Sequence, residues 1–453
     1  MIRPQLSPLP HRAANNNQFM NSDTTLTARE FALQIVHKLN DHGFQALWAG
    51  GCVRDSLLGK QPSDYDVATN ASPDQVIRVF GAGRTLSVGA AFGVIVVLGP
   101  KASGLQTEVA TFRSDGNYSD GRRPDSVSFC SAEEDAQRRD FTINGMFFDP
   151  LAEQVIDYVG GQQDLQTQTL RCIGRAEDRF REDNLRMLRA IRFAATYQFQ
   201  LDHETQQAIC RCAAGIHNVS GERILNELRR MLKHANRQQA FQLLLETGLL
   251  PLIIPEFQSL TATNPSAVKD IDSMLGRLES NSFPPAAALL LHPFHNKTNV
   301  GPGGPVNGID RICRGLTMSR KDLDCIVWIL DKLAFLVEFS SQPLHVVRPI
   351  LADPRSEQLL QTATAAAGVL TSSPTAEDIS NALSLQQKYT PETLCPAPLV
   401  NGDDVQALGI CPGPPIRRLL DSVRAAQLDH QITSRESALR LLQQLVTDRN
   451  PLN

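Results

Sequence analysis

Phe44-Gln45-Ala46-Leu47-Trp48-Ala49-Gly50-Gly51-Cys52-Val53-Arg54-Asp55-Ser56-Leu57-Leu58-Gly59, followed after a Pro62-Ser63 break by Asp64-Tyr65-Asp66-Val67-Ala68-Thr69, is the stretch on which the fold turns. The apolar run 44–49 reads as a strand, the paired glycines as a tight turn, and the residues after them as a short helix. Glycine lets the backbone approach a ligand closely, and a helix start offers N–H groups and a positive dipole end to an anion. With Arg54 one turn in, Gly50, Gly51 and Arg54 form a candidate phosphate cradle. Residues 64–69 read as a second strand in which Asp64 and Asp66, two apart, point to one face. Neighbouring carboxylates repel unless cations lie between them. Hard Mg²⁺ prefers such oxygen donors, and a metal pair about 3.5–4 Å apart is a recurrent device for in-line phosphoryl or nucleotidyl transfer. Asp-x-Asp also occurs in turns and solvated edges, and Gly-Gly before a helix is often a turn and nothing more. Order and closeness carry the argument: the cradle would hold a triphosphate, and the two acids just downstream the metal bridging it.

Outward from this stretch, Phe31, Ile35, Val36 and Leu39 stand at helical spacing, which predicts an amphipathic helix from Thr27 to near Gly43. Residues 1–25 lack periodicity and a signal-peptide core and read as a disordered leader. On the other side, Ser72 as N-cap and Pro73 at the first helical position open a helix through Phe80. Residues 93–98 and 105–112 then read as strands. Glu108 alternates with apolar neighbours, so it can share the face of Asp64 and Asp66 as a third carboxylate; a surface glutamate on a half-exposed strand is the competing reading. Residues 113–124 are polar and rich in turn formers, longer than a hairpin turn, and loops of that kind are often functional. A helix start at 131–134, charge packed beside an apolar face in Arg138-Arg139-Asp140-Phe141-Thr142-Ile143-Asn144, and strands near 146–148 and 155–158 close a mixed α/β domain at about residue 170.

From Asp178 onward the pattern is helical. Leu188, Ile191 and Ala195 make a buried stripe, with Asp183, Arg186 and Arg189 on the other side. Arginines 171, 175, 179, 181, 186, 189 and 192 form a stripe suited to phosphates and base edges, balanced by Glu177, Asp178, Glu182 and Asp183. Asp183 and Arg186 either offer acceptors and donors to a base edge or make an i,i+3 surface pair worth about 0.2–0.5 kcal/mol.

The 453 residues suffice for about three domains. A composition of 42% hydrophobic and 20% charged residues is that of a globular protein, and no apolar run approaches the ~20 residues of a membrane-spanning helix. Nine cysteines show neither zinc spacing nor a disulfide framework, which points to reducing cytoplasm. A formal net charge of −4 excludes a protein that coats nucleic acid by bulk electrostatics. Residues 260–395 carry no recognisable chemistry. His292-Pro293-Phe294-His295, with no following aspartate, reads as loop and core, and 296–308 as a Pro/Gly-rich linker or insertion.

Gly50-Gly51-Cys52-Val53-Arg54-Asp55, Asp64-Tyr65-Asp66, Arg138 through Asn144, Glu182-Asp183-Asn184-Leu185-Arg186 through Arg192-Phe193, and Glu222-Arg223-Ile224 with Glu227 resemble, in order, the successive motifs of class II tRNA nucleotidyltransferases. These are the CCA-adding enzymes, with bacterial poly(A) polymerases as relatives. The likeness covers residues 27 to about 250, with a weaker echo at 399–414 of a tRNA-facing C-terminal region. Gly145 stands where alanine is common in the family. The resemblance implies an α/β head with a nucleotidyltransferase-type palm and mixed sheet (26–170), followed by an all-α neck (171–236) for base recognition and RNA binding and an all-α body and tail (237–453) that bind tRNA. It implies that Asp64 and Asp66 hold Mg²⁺, two ions being expected, and act catalytically; Glu108, from its place in the strand 105–112, is the third candidate catalytic carboxylate. It implies that Gly51 and Arg54 touch the triphosphate and that Arg139 helps hold the nucleotide. Asp183 and Arg186 then form a protein template for the base, Arg189 and Arg192 lie nearby, and 115–123 is the flexible element used for the final adenosine.

The expected activity is therefore Mg²⁺-dependent, template-independent transfer of CMP and AMP from CTP and ATP to the tRNA 3′ end, in the cytoplasm, with no protein partner. Discriminating cytosine from adenine needs groups able to reorient. Uracil and guanine would leave buried donors or acceptors unpaired, a penalty capable of about 10⁴-fold rejection. A-only or CC-only addition, polyadenylation and non-catalytic RNA binding are the alternatives. Poly(A) relatives carry a basic run where this chain has Leu86-Ser87-Val88-Gly89-Ala90-Ala91-Phe92-Gly93, which favours tRNA. Retention of the 115–123 loop weighs against CC-only addition and leaves A-only addition open.

Overall fold

In the computed structural model, Thr27 caps α1 (Ala28–Asp41) through a reciprocal box with Glu30. The residues described are 26–101, 103–116, 126–295, 298–301 and 304–448; the leader 1–25 and most of the 115–123 loop lie outside them. The chain divides into two compact units, one built from residues up to Arg113 with Phe129–Ala132 and Phe147–Ile156, the other from the remainder.

In the first unit, α1 buries Phe31, Ile35, Val36 and Leu39, the stripe expected from their spacing. The chain continues through β1 (Ala46–Ala49), α2 (Gly51–Leu57), β2 (Asp66–Thr69), α3 (Pro73–Phe80), β3 (Thr85–Gly89), β4 (Val94–Leu98), β5 (Gln106–Thr111), β6 (Phe147–Asp149) and β7 (Gln154–Ile156). Ser72 caps α3 in a box with Gln75, and Pro73 occupies the first turn. The strands form one mixed sheet in the order β3-β4-β5-β2-β1-β6-β7. Within this sheet β2 and β5 run parallel and the other described pairings are antiparallel. Alternation decides the faces: Val67, Ile95, Val97 and Val109 are fully buried, whereas Asp66 and Glu108 are exposed. Each large apolar side chain so buried contributes about 1.5–3 kcal/mol.

Residues 64–69 were expected to be extended throughout, but β2 begins at Asp66. Its neighbour β1 ends at Ala49, opposite Asp66, and Gly50 turns the chain away at φ 70, so Asp64 and Tyr65 have no β1 backbone to pair with. Tyr65 instead turns inward, edge-on to Trp48 with ring centroids 4.8 Å apart.

The second unit is mainly helical. Its first part holds Arg138–Asn144, an isolated bridge from Phe141 to Cys172, and the helices α4 (Ala132–Gln137), whose first residue belongs to the other unit, α5 (Gly161–Gln166), α6 (Ala176–Glu182), α7 (Leu185–Tyr197), α8 (His203–Cys212) and α9 (Gly221–Leu232). Further helices follow to Thr447. Residues 298–301 and 304–307, read from sequence as linker or insertion, pair antiparallel as a hairpin. The 399–414 echo belongs to a small C-terminal core in which Val400, Val405, Leu419, Val423, Ala438 and Leu442 are buried together. Among the described residues no helix is long and apolar enough to cross a membrane.

Candidate active site

The first unit gathers the cradle and the acids at one end of the sheet. β1 delivers the chain to Gly50, whose positive φ an L side chain would strain, and α2 starts at Gly51 without a side-chain cap. Arg54 is buried, donates to Asp55 Oδ1 at 2.9 Å, and folds back toward the helix start: a Cβ on Gly51 would stand 3.6 Å from its Nη2. Phosphate-binding chemistry thus has a backbone turn and a guanidinium in one place.

Asp66 lies opposite Ala49, the last residue before that turn. On its other side, Val67 pairs with Val109 in the parallel register, so the preceding residues Asp66 and Glu108 are neighbours on the same face. Asp64 and Asp66 are exposed on either side of buried Tyr65, and Ser63 Oγ donates to Asp64 Oδ1 at 3.0 Å. These are hard oxygen donors of the kind Mg²⁺ takes, and Mg²⁺ ordinarily keeps several waters. No group of three or more His, Cys, Asp or Glu side chains among the described residues converges in metal-holding geometry. A site here would therefore rest on the two aspartates, water and substrate oxygens, with Glu108 beside it. Burial, and then the Asp66 charge, push the Cys52 thiol up to about 12. The thiol stays protonated and supplies no competing thiolate.

In the second unit the arginine stripe is fully engaged. Asp183 caps the C-terminus of α6 at φ −146 and Arg186 lies in the first turn of α7; the Arg186 N–H donates to the Asp183 carbonyl at 3.0 Å, while their side chains take other partners. Arg186 donates instead to Glu182 and to the Arg179 carbonyl. Asp183 accepts from the Leu185 N–H at 3.0 Å and from Arg223 of α9 at 2.8 Å. Arg189 Nε donates to Asp140 Oδ2 at 2.9 Å, and Arg192 to the buried Glu227 at 2.6 Å while lying over the Phe193 ring. Arg139 and Arg138 share Asp135, at 2.9 and 2.7 Å. Burial alone would raise the Asp140 carboxyl; the Arg189 guanidinium and hydrogen bonds from Arg189 and Asn144 outweigh it and hold Asp140 below the usual carboxylate range. The same balance, with Arg139 and Arg138 as the cations, lowers Asp135.

Sequence reasoning missed Glu182, Arg223 and Asp140 as the partners that orient these groups. All three stand inside the quoted motifs, which was the available signal; their partners were not readable.

Residues 46–171 match the family described as the poly A polymerase head domain. Residues 198–260 match the one described as the probable RNA and SrmB-binding site of polymerase A. The CCA-adding enzyme of Geobacillus thermodenitrificans (strain NG80-2) is 44% identical over 219 residues, 48% of this chain and 53% of the relative. That of Bacillus subtilis (strain 168) is 43% identical over 219 residues, 48% and 54% of the two chains. The chain thus spans about half the length of the curated relatives it matches. A solved structure of the Bacillus stearothermophilus CCA-adding enzyme in complex with CTP aligns at TM-score 0.74 and 28% identity, over 93% of this chain and 98% of that one. The Thermotoga maritima CCA-adding enzyme complexed with tRNA-CCA shares the fold at TM-score 0.64 and 19% identity, over 93% and 97%.

Proposed function

We propose, from a chain whose residues 46–171 match the poly A polymerase head-domain family, that the protein is a template-independent nucleotidyltransferase adding CMP and AMP, from CTP and ATP, to the 3′ end of tRNA. The observation that carries this reading is the side-by-side placement of Ala49, Asp66 and Glu108 at the Gly50-Gly51 turn. The terminal 3′ hydroxyl gives up its proton to water, its oxygen bonds to the α-phosphorus, and the bond from that phosphorus to the bridging oxygen breaks, releasing pyrophosphate with the electron pair. Gly50, Gly51 and Arg54 hold the triphosphate, Arg139 helps hold the nucleotide, and Asp64 and Asp66 are the residues that would hold Mg²⁺, with Glu108 beside them. Bound Mg²⁺ supplies charge neutralisation on the phosphates and activation of the hydroxyl. Asp183 and Arg186 read the base, with Arg189 and Arg192 supporting them. In this reading 26–170 is the head, 171–236 the neck, 237–453 a tRNA-binding body and tail, and the cytoplasm the site of action.

The family description also names poly(A) synthesis, and one experiment separates the two. Purified protein is given tRNAs ending before CCA, after C and after CC, with Mg²⁺ and CTP or ATP, and the products are sequenced. Completion to CCA and no further is the expected result. Long A tails would replace the proposal with polyadenylation, and A added only after CC would narrow it to an A-adding enzyme.

A further inference from the structure

The row of in-register residues that carries Asp66 continues beyond Glu108. Glu108 stands opposite Val96 on β4, and Val96 opposite Leu86 on β3. Directly paired residues share a face, so Val96 and Leu86 extend the acid face outward by two strands, about 9–10 Å at the usual ~4.8 Å spacing. Along β4, Val94, Val96 and Leu98 are half-buried while Ile95 and Val97 on the opposite face are fully buried. Leu86, on the edge strand, is 44% exposed. After Leu86 the pairing slips before resuming at Gly89, which bounds an apolar shelf beginning beside the acids and ending at the sheet edge.

In-line displacement places the attacking oxygen and the departing pyrophosphate on opposite sides of the phosphorus. Resting on the transferase reading above, the pyrophosphate side is set at β1 and α2 by Gly50, Gly51 and Arg54. The attacking hydroxyl then arrives over β5 and β4. We propose that Val96 and Leu86 form the platform for the 3′-terminal nucleoside of the RNA, presenting its hydroxyl beside Glu108. Neither side chain has a donor or acceptor, so the contact reads no base edge. A terminus that is first the tRNA's own last nucleoside and then a cytidine requires such tolerance.

A tRNA lacking CCA and carrying 4-thiouridine as its last nucleoside is irradiated with the full-length protein, and the crosslinked peptide is mapped. Attachment within residues 86–98 is expected; attachment elsewhere overturns the proposal. In parallel, Leu86→Ser raises the RNA KM about tenfold, the factor expected for losing most of one leucine contact, and leaves the KM for CTP unchanged, while Leu86→Met restores the wild-type value. An unchanged RNA KM, or a change confined to oligomeric state, overturns it as well. Crosslinking needs no turnover: a protein that binds RNA at the shelf yet adds nothing would refute the transferase reading and leave the shelf standing.

Discussion

Arg223 and Glu182 decide where the two candidate base readers point. Arg223 holds Asp183 at 2.8 Å from a helix forty residues on, and Glu182 takes the Arg186 guanidinium. Arg186→Ala is expected to reduce the discrimination between CTP and ATP about tenfold, since the loss is one set of base-edge hydrogen bonds, while the KM for triphosphate changes little. Steady-state kinetics with each nucleotide on a tRNA ending in CC checks this. Arg223→Ala leaves Asp183 without its cation and should shift the same selectivity ratio, though Arg223 itself need not touch the nucleotide. Gly145 also acquires a reason at this scale. A Cβ there would come within 2.8 Å of Ile173 and Val159, so these neighbours occupy the space that an alanine methyl would need.

At the scale of elements, Asp140 joins the Arg138–Asn144 segment to α7 through Arg189. Its carboxyl titrates below the unfolded value of about 3.9. The pairing therefore stabilises the fold above that value and is lost as pH falls through the lower, folded value. Asp140→Asn should cost about 1–3 kcal/mol at neutral pH and flatten the decline of stability below about pH 4, as denaturant midpoints across that range will show. Arg237 is a second fastening: it is 1% exposed and donates to the carbonyls of Leu232 at 2.9 Å and of Leu278 and Ser280. Arg237→Met strands these acceptors, and thermal unfolding should reveal a loss of about 2–4 kcal/mol. What was legible follows from range. The Ser72 cap, the α1 stripe and the alternation in 105–112 are each written within a few neighbouring residues. The pairings Asp140 with Arg189 and Asp183 with Arg223, and the register that places Leu86, Glu108 and Asp66 in one row, join distant segments. Local spacing left an Asp183–Arg186 side-chain pair open because it could not reveal that α6 stops at Glu182 and α7 starts only at Leu185.

At the scale of the whole molecule, the α/β head followed by helices was legible because the motifs stand in order along the chain. Residues 260–395 stayed silent because their helices are held by apolar packing and buried fastenings such as Arg348, which donates to the carbonyls of Leu428 and Thr393, and neither leaves a chemical signature in sequence. In the proposed function the acids beside the Gly50-Gly51 turn perform nucleotidyl transfer. Asp64→Ala tests it most directly, with nucleotide incorporation and retention of tRNA on a filter measured on the same preparation. Turnover reduced about 10³-fold or more, the scale of losing a principal electrostatic group, with tRNA retention unchanged, is the predicted result. Incorporation equal to that of the unmodified protein would contradict the account.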